Sequence, residues 1–182
     1  MKKRKMAALL LCLIFVVTSL AACGAKSFRN TNWGDSLSQV SNSEDVEYFF
    51  ASDEVIAFNS KMFDVDSEIL YSFVDGKLTE AQNKFLVETW ILADIIPHYK
   101  QMVAKLTEEY GAPLNADFNI LHTDSPDYEE HKNDTEIYQV YYKILEFKSE
   151  WKTQSTYYSL SLNYKDEQIN YILYACPVEN AP

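Results

Sequence analysis

The stretch ILYSFVDGKL, residues 69–78, carries the clearest structural signal in the sequence. Large apolar side chains recur at every second position before the turn, which is the period of a β-strand. Asp75-Gly76 then supplies the two residues of a type I′ turn, whose central positions both need positive φ. The pattern predicts an antiparallel hairpin in which Tyr71 lies opposite Glu80.

The other predicted strands are the returning strand of this hairpin and the apolar runs on both sides of it. They cover residues 54–60, 77 to about 87, 136–151, 157–164 and 169–173, with turns at 64–67 and 165–168. The run that contains Tyr158 and Leu160 alternates apolar and polar residues, so one face of the sheet should be buried and the other wet. The strand that follows the hairpin is polar, which is typical of an edge strand or of a solvated face.

Two helices are predicted from periodicity and end signals. In Trp90–Tyr110 the apolar residues recur at i, i+3 and i+4, and Gly111 follows as a C-cap residue. Pro97 lies inside this pattern, so we expect one kinked helix. A short helix over about 36–43 is predicted near the N-terminus, because Asp35-Ser36 offers two capping side chains.

The predicted order of elements is helix, three strands, helix, three strands. Such an order predicts an α+β domain: an antiparallel sheet with the long helix, about 90–110, packed on one face and a short N-terminal helix. The repeated order also fits a tandem helix–three-strand arrangement. We expect a single domain over residues 33–182, with a long acidic loop at 114–134 that lacks periodicity.

The N-terminal segment predicts export. A cationic start at residues 2–5 precedes an apolar run at 6–17 that is too short to span a bilayer comfortably. The run leads to Leu20-Ala21-Ala22-Cys23-Gly24, which resembles the lipobox of bacterial lipoproteins. That resemblance implies a signal peptide at residues 1–22, cleaved before Cys23, and acyl chains including palmitate on Cys23. Residues 23–32 would form a short tether on the extracytoplasmic side of a cell membrane.

The charge of the chain restricts its partners. Without the predicted signal, 12 basic residues stand against 27 acidic ones, which gives a formal charge of −15. This composition argues against nucleic acid as a partner, because such binding depends on clustered Lys and Arg. Anionic head groups would also repel the body of the domain within about a Debye length, roughly 8 Å at physiological salt.

Residue types that bind metals collect in the 114–134 loop. His122, His131, Asp124 and Asp127 are imidazole and carboxylate ligands of the kind that zinc uses. A metal-binding lipoprotein is therefore one alternative function, although a solvated acidic loop explains the same residues. Residues 64–68 resemble the start of a calcium loop but lack its glycine and its distal glutamate.

Few sequence motifs of catalysis occur in the chain. It contains no GxSxG, HExxH or glycine-rich phosphate loop, and its one SxxK match, Ser149–Lys152, lies at the end of the strand predicted over 136–151. Cys176 ends an apolar run, and we expect it to be buried rather than catalytic. Because 27 acidic residues offer many carboxylate pairs, an envelope hydrolase is the second alternative. Our main expectation is a protein with no enzymatic activity and no cofactor.

Several of the 13 tyrosines fall on both faces of predicted strands. They are Tyr141, Tyr142, Tyr157, Tyr158, Tyr171 and Tyr174. One face of the sheet could therefore be an aromatic surface suited to a partner. The other interpretation is that the helix covers one face while the tyrosines of the other face are scattered and solvated.

Two short motifs carry a family resemblance. Trp33-Gly34 followed by Ser36–Val40, and Tyr110–Pro113 at the helix end, resemble uncharacterised exported bacterial lipoproteins. The same motifs are similar to the helix-plus-sheet modules of the SmpA outer-membrane assembly lipoproteins and of β-lactamase-inhibitory proteins. In those families a short helix packs on a curved sheet that binds other proteins. The resemblance carries over no binding residue. From the sequence as a whole we expect a lipid-anchored module that binds a protein or small ligand through its sheet face or its 114–134 loop.

Overall fold

The computed structural model describes residues 26–88, 90–115 and 119–182. They form an α+β domain built on one eight-stranded antiparallel sheet, which confirms the predicted fold class. The strands are β1 (Tyr48–Ala51), β2 (Val55–Met62), β3 (Val65–Val74), β4 (Lys77–Phe85), β5 (Asn119–Leu121), β6 (Leu145–Lys152), β7 (Thr156–Lys165) and β8 (Gln168–Pro177). The helices are α1 (Leu37–Ser43), α2 (Leu92–Tyr110), α3 (Tyr128–His131) and α4 (Glu136–Tyr141), and a 3₁₀ turn follows β8 at Val178–Asn180.

The strands lie in the order β1-β2-β3-β4-β8-β7-β6-β5. Each half of the chain contributes four consecutive strands, and the two sets meet where β4 pairs with β8. Each half thus begins with a helix and holds four strands rather than the predicted three, and in the second half α3 and α4 lie between β5 and β6. The sequence patterns missed β1 and β5 because these strands are four and three residues long, too short for alternation to be recognised.

Two-residue loops with positive φ join the strands of three hairpins. They are Phe63-Asp64, Asp75-Gly76 and Asp166-Glu167. The hairpin predicted at Asp75-Gly76 is confirmed, but Tyr71 lies opposite Ala81 instead of Glu80. The register shifts by one residue between Ser72 and Phe73, and such a β-bulge leaves no mark in the alternation of the sequence.

The core lies on one face of the sheet, under the helices. Alternate residues of the strands point into it, and the largest fully buried side chains include Tyr71, Phe85, Phe147, Trp151 and Tyr171. The helices contribute Val40 from α1, Val140 from α4, and Ile95, Tyr99, Met102 and Leu106 from α2. All of these side chains belong to one continuous hydrophobic cluster, so both halves of the chain share a single core.

Helix α2 agrees closely with its prediction. It begins at Leu92, and Gly111 follows its end with φ 89° and donates its N–H to the Thr107 carbonyl at 3.0 Å. Pro97 lies inside this one helix. Because proline has no N–H, the Ala93 carbonyl one turn earlier receives no hydrogen bond from it.

The long strand predicted over residues 136–151 is wrong in its first half. Residues 136–141 form α4, and β6 begins at Leu145. Ile137 and Val140, three residues apart on one face of this helix, are buried. The β-branched and aromatic composition of this segment favours a strand, but packing against α2 and β7 decides its structure.

Strand β4 lies inside the sheet between β3 and β8, so the interpretation of this polar strand as an edge was wrong. Lys77, Glu80, Gln82 and Lys84 occupy the face away from the helices, as the alternative interpretation predicted, whereas Asn83 is buried on the core side.

Residues that we expected in the tether belong to the domain. Ser27, Phe28 and Thr31 are buried. The Ser27 carbonyl accepts hydrogen bonds from the Tyr158 hydroxyl at 2.6 Å and the Thr156 hydroxyl at 3.2 Å. The N-terminal segment is therefore fixed to the first residues of β7 from residue 27 onward.

A buried ion pair connects three elements in the first half of the chain. The Arg29 guanidinium donates to the two carboxylate oxygens of Glu44 at 3.2 and 3.0 Å, and the Glu44 side chain is 1 % exposed. The Tyr71 hydroxyl donates to the same carboxylate. Burial raises the pKa of Tyr71, and the charge of Glu44 raises it further, so this hydroxyl stays protonated. The three residues join the N-terminal segment, the end of α1 and β3.

We predict that Glu44→Ala lowers the free energy of unfolding by about 3 kcal/mol or more, because it leaves the Arg29 charge and the Tyr71 hydroxyl without their buried partner. Urea denaturation followed by circular dichroism measures this loss. Lys61→Ala is the matched control, since it breaks an exposed pair with Asp66 and should cost less than about 1 kcal/mol. Equal losses in the two variants would show that the buried pair contributes no more than a surface pair.

Candidate functional site

The second face of the sheet is termed the open face and consists of the strand residues that alternate with the core positions. None of these open-face residues belongs to the hydrophobic core between the sheet and the described helices. Most are half exposed. Across its middle, five residues lie side by side on neighbouring strands: Phe50, Ala57, Leu70, Gln82 and Tyr174.

The open face is balanced in charge, unlike the rest of the domain. Strand alternation and register place six lysines on it: Lys61, Lys77, Lys84, Lys148, Lys152 and Lys165. Five carboxylates lie there too: Asp66, Glu68, Glu80, Glu146 and Glu150. The described ranges contain 12 basic and 26 acidic residues, and the face holds six of the basic ones but only five of the acidic ones. The acidic excess lies on the other surfaces.

Glu150 is the centre of a polar network on the open face. Its carboxylate accepts hydrogen bonds from Lys148 and Asn115, each at 2.7 Å, and from the Tyr157 hydroxyl. Partial burial opposes ionisation, but the hydrogen bonds from Lys148, Tyr157 and Asn115 outweigh it and lower the pKa of Glu150. The network therefore holds a fixed negative charge among the lysines of β6.

The tyrosines predicted to form an aromatic surface are distributed differently. Tyr158 and Tyr171 belong to the core, and Tyr157 points to the open face but is buried. Tyr141 and Tyr142 lie at the end of α4, not on a strand. Only Tyr174 of the six is a half-exposed residue of the open face, so the face is mixed in character rather than aromatic.

The exposed aromatic side chains of the sheet lie instead on β1. Tyr48, Phe49 and Phe50 are 53 %, 53 % and 51 % exposed. Strand β1 pairs with β2 and forms one edge of the sheet. The sequence signal for this edge is a run of three consecutive aromatic residues inside an acidic segment, which does not show the alternation that predicts a strand.

The two loop histidines lie in separate surroundings. His122 Nε2 is 3.9 Å from a Glu146 carboxylate oxygen on β6. His131 Nδ1 is 2.8 Å from Asp134, and its ring stacks on Tyr142 with the centroids 3.4 Å apart.

No metal site is formed within the described ranges. Asp124 and Asp127 are exposed, and no group of three or more His, Cys, Asp or Glu side chains among the described residues is arranged to hold a metal ion. Asp66 and Glu68, which we compared with a calcium loop, lie on β3.

The described part of the 114–134 loop contains regular structure. It includes β5 and α3, and the Leu114 N–H donates to the Glu150 carbonyl at 2.7 Å. The segment therefore extends the sheet beyond β6, and the prediction of a structureless loop was wrong.

Of the two cysteines outside the predicted signal, the structure describes Cys176 but not Cys23. Cys176 is fully buried, as predicted, and burial raises the pKa of its thiol. This thiol is therefore poorly reactive. Cys23 and the predicted signal at 1–22 lie outside the described residues. None of the helices in the described ranges has the length and apolar character needed to cross a membrane.

Two of the recesses among the described residues are lined mainly by residues outside the open face. A groove of about 490 Å³ between α2 and α4 is lined by Ala93, Ile96, Pro97, Lys100, Thr135, Glu136 and Ile137. A second recess of about 400 Å³ contains Asp64, Asp66 and Glu88. Asp66 is 70 % exposed and pairs with Lys61 at 3.1 Å, so it is not the buried carboxylic acid that a hydrolase needs as proton donor.

Comparison of the chain with protein-family models, with curated proteins and with solved structures gives no match.

His98 is a half-buried residue of α2 and lies in an aromatic environment beside the core. Its ring centroid is 4.6 Å from that of Trp90, and Nδ1 is 3.3 Å from the Tyr171 hydroxyl. Burial lowers the pKa of His98 below its ordinary value of 6.5, and the charge of Lys105 lowers it further.

We predict that acidification through the window below pH 6.5 destabilises the protein, because the unfolded chain then binds a proton at His98 that the folded chain binds less readily. His98→Gln should reduce this loss, measured as the change in unfolding free energy between pH 7.5 and 5.5. His122→Gln is the control and should retain the loss. An unchanged pH dependence in His98→Gln would contradict the assignment.

Proposed function

We propose that the protein is a lipid-anchored, exported module without enzymatic activity, which binds a partner protein through its open face. The observation that carries the proposal is the charge balance of this face in a domain whose formal charge is −15. A partner can approach it without the repulsion that an acidic surface would impose. Half-exposed aliphatic and aromatic residues beside paired charges match the usual composition of a non-obligate interface.

Anchoring at Cys23 is the second part of the proposal. It rests on the lipobox resemblance of residues 20–24 and on the cationic and apolar segments before it. Ser27 is held on β7, so at most four residue steps separate it from Cys23, a reach of roughly 14 Å. The end of the sheet that carries the first residues of β7 would therefore lie close to the membrane.

The absence of a catalytic role is likewise proposed from the chemistry of the described residues. The Cys176 thiol is buried with a raised pKa, and the carboxylate of Glu150 is already bonded to three partners. Neither group is placed as a nucleophile or as a proton donor. The two alternatives, a metal-binding lipoprotein and a hydrolase, receive no specific support from the geometry around His122, His131 and Asp66.

We predict that metabolic labelling with an alkyne analogue of palmitate modifies the full-length protein in a bacterial host. Cys23→Ala should abolish the label and leave a precursor that retains residues 1–22, because the thioether cannot form. Cys176→Ala is the matched control and should keep the label. Labelling that persists in Cys23→Ala would place the lipid elsewhere or show that the labelling is unspecific.

Photocrosslinking in the native membrane tests the open face. We predict that benzoylphenylalanine at Ile172 or Ser161 gives a discrete crosslinked partner, because both positions lie half exposed near the centre of this face. The same group at Glu108, on the exposed side of α2, is the control and should give none. Mass spectrometry of the product identifies the partner. Crosslinking only from Glu108, or from neither surface, would contradict the proposed binding face.

A further inference from the structure

The aromatic edge strand β1 suggests a second interaction surface, which differs from the open face. We infer that β1 accepts a short extended segment of another protein, in which apolar residues are flanked by Lys or Arg. The segment would add to the sheet as a ninth strand. This inference goes beyond the proposed function and, apart from Phe50, concerns other residues, so either can fail alone.

The first support is the exposure of β1 itself. All four of its residues are exposed, and three of them are aromatic. An edge strand presents backbone N–H and C=O groups without sheet partners on its outer side. Edges are commonly protected by lysine or proline, and β1 contains neither residue. The edge is therefore a template to which another strand can pair.

The aromatic residues lie on both sides of the sheet at this edge. Tyr48 is opposite Phe58 and points to the helix side, where the two rings meet edge to face at 6.4 Å. Phe50 is opposite Ala57 and points to the open face. An added strand would therefore need apolar side chains at consecutive positions, one beside each ring.

A register irregularity limits how much strand can be added. The pairing of β1 with β2 shifts between Tyr48 and Phe50, and such a bulge bends the edge and interrupts a long ladder. The edge consequently suits a short segment and disfavours continuous sheet growth.

The flanking charges select the kind of partner. Asp45 and Glu47 precede β1, and Asp53 and Glu54 follow it; all four are exposed. None of them forms an ion pair with another residue that the structure describes. A segment with basic residues at both ends would pair with these carboxylates at both ends of the strand.

The same charges disfavour two other occupants of the edge, a second copy of this chain and an anionic membrane. In an antiparallel pair of two copies, Glu47 of one copy would approach the Asp53-Glu54 turn of the other, which sets carboxylates against carboxylates. Insertion of the aromatic residues into an anionic membrane would bring all four carboxylates to the head groups, which repel them.

The test uses the full-length protein in phosphatidylcholine nanodiscs and a seven-residue probe peptide with three central valines and two lysines at each end. Fluorescence anisotropy compares this peptide with one that carries glutamates in place of the lysines. We expect the lysine peptide to bind about tenfold more tightly or better at low salt, because four weak ion pairs add to the contact. The preference should shrink as salt rises and shortens the Debye length.

Charge reversal assigns the preference to the edge. Glu47→Lys with Asp53→Lys should abolish or invert the preference for the lysine peptide. The matched control is Asp124→Lys with Asp127→Lys, which reverses two exposed carboxylates elsewhere and should leave the preference intact. Equal affinity for both peptides, or a preference that only the control variant changes, would overturn the inference.

An environment-sensitive fluorophore on Val46→Cys reports what covers the edge. Its emission should shift when the lysine peptide binds in phosphatidylcholine nanodiscs. A shift without peptide in phosphatidylglycerol nanodiscs would assign the edge to the membrane, and a shift on adding unlabelled protein would assign it to a second copy. Either result would overturn the inference. Failure of crosslinking from the open face would leave these measurements unaffected.

Discussion

The pairing of β4 with β8 is the contact on which the rest of the structure depends. It joins two four-stranded meanders edge to edge, with Ala81–Lys84 facing Ile172–Ala175. Across this junction Phe85 and Tyr171 pack with their ring centroids 4.5 Å apart, so one core continues from the first half into the second. Each meander alone would have an exposed inner edge. The first would also have only the seven-residue α1 as a helical cover.

Covering the sheet on one side separates the residues that stabilise the fold from those of the proposed binding face. The helices and the N-terminal segment take one face, where the buried Glu44 carboxylate is matched by Arg29 and Tyr71. On the other face two lysines pair with carboxylates, Lys148 with Glu150 and Lys61 with Asp66. Most of the acidic residues lie on the remaining surfaces, and those around β1 leave an aromatic edge between unpaired charges. The open face and this edge thus differ in charge and would select different partners.

Local chemistry explains which parts of the fold could be predicted. The Asp75-Gly76 hairpin and the Gly111 end of α2 depend on residues that tolerate positive φ. One or two residues of sequence are therefore enough to predict them. Segment 136–141 has the composition of a strand and the burial spacing of a helix, and only contacts with α2 and β7 decide between them. Strands as short as β1 and β5 contain too few residues for the two-residue period of a strand to be recognised. The aromatic edge was missed for the same reason, because its residues lie on β1.

By itself, the sequence determined the alternation that buries one face of each strand, the strongly acidic charge, and the export signal expected before Cys23. These properties follow from composition and near neighbours along the chain. The tertiary structure alone decided that Arg29 meets Glu44 and Tyr71, that His122 and His131 have separate partners, and that six lysines share one face. Those arrangements join residues far apart in the chain. Strand order and register, which no local pattern specifies, set which of them meet.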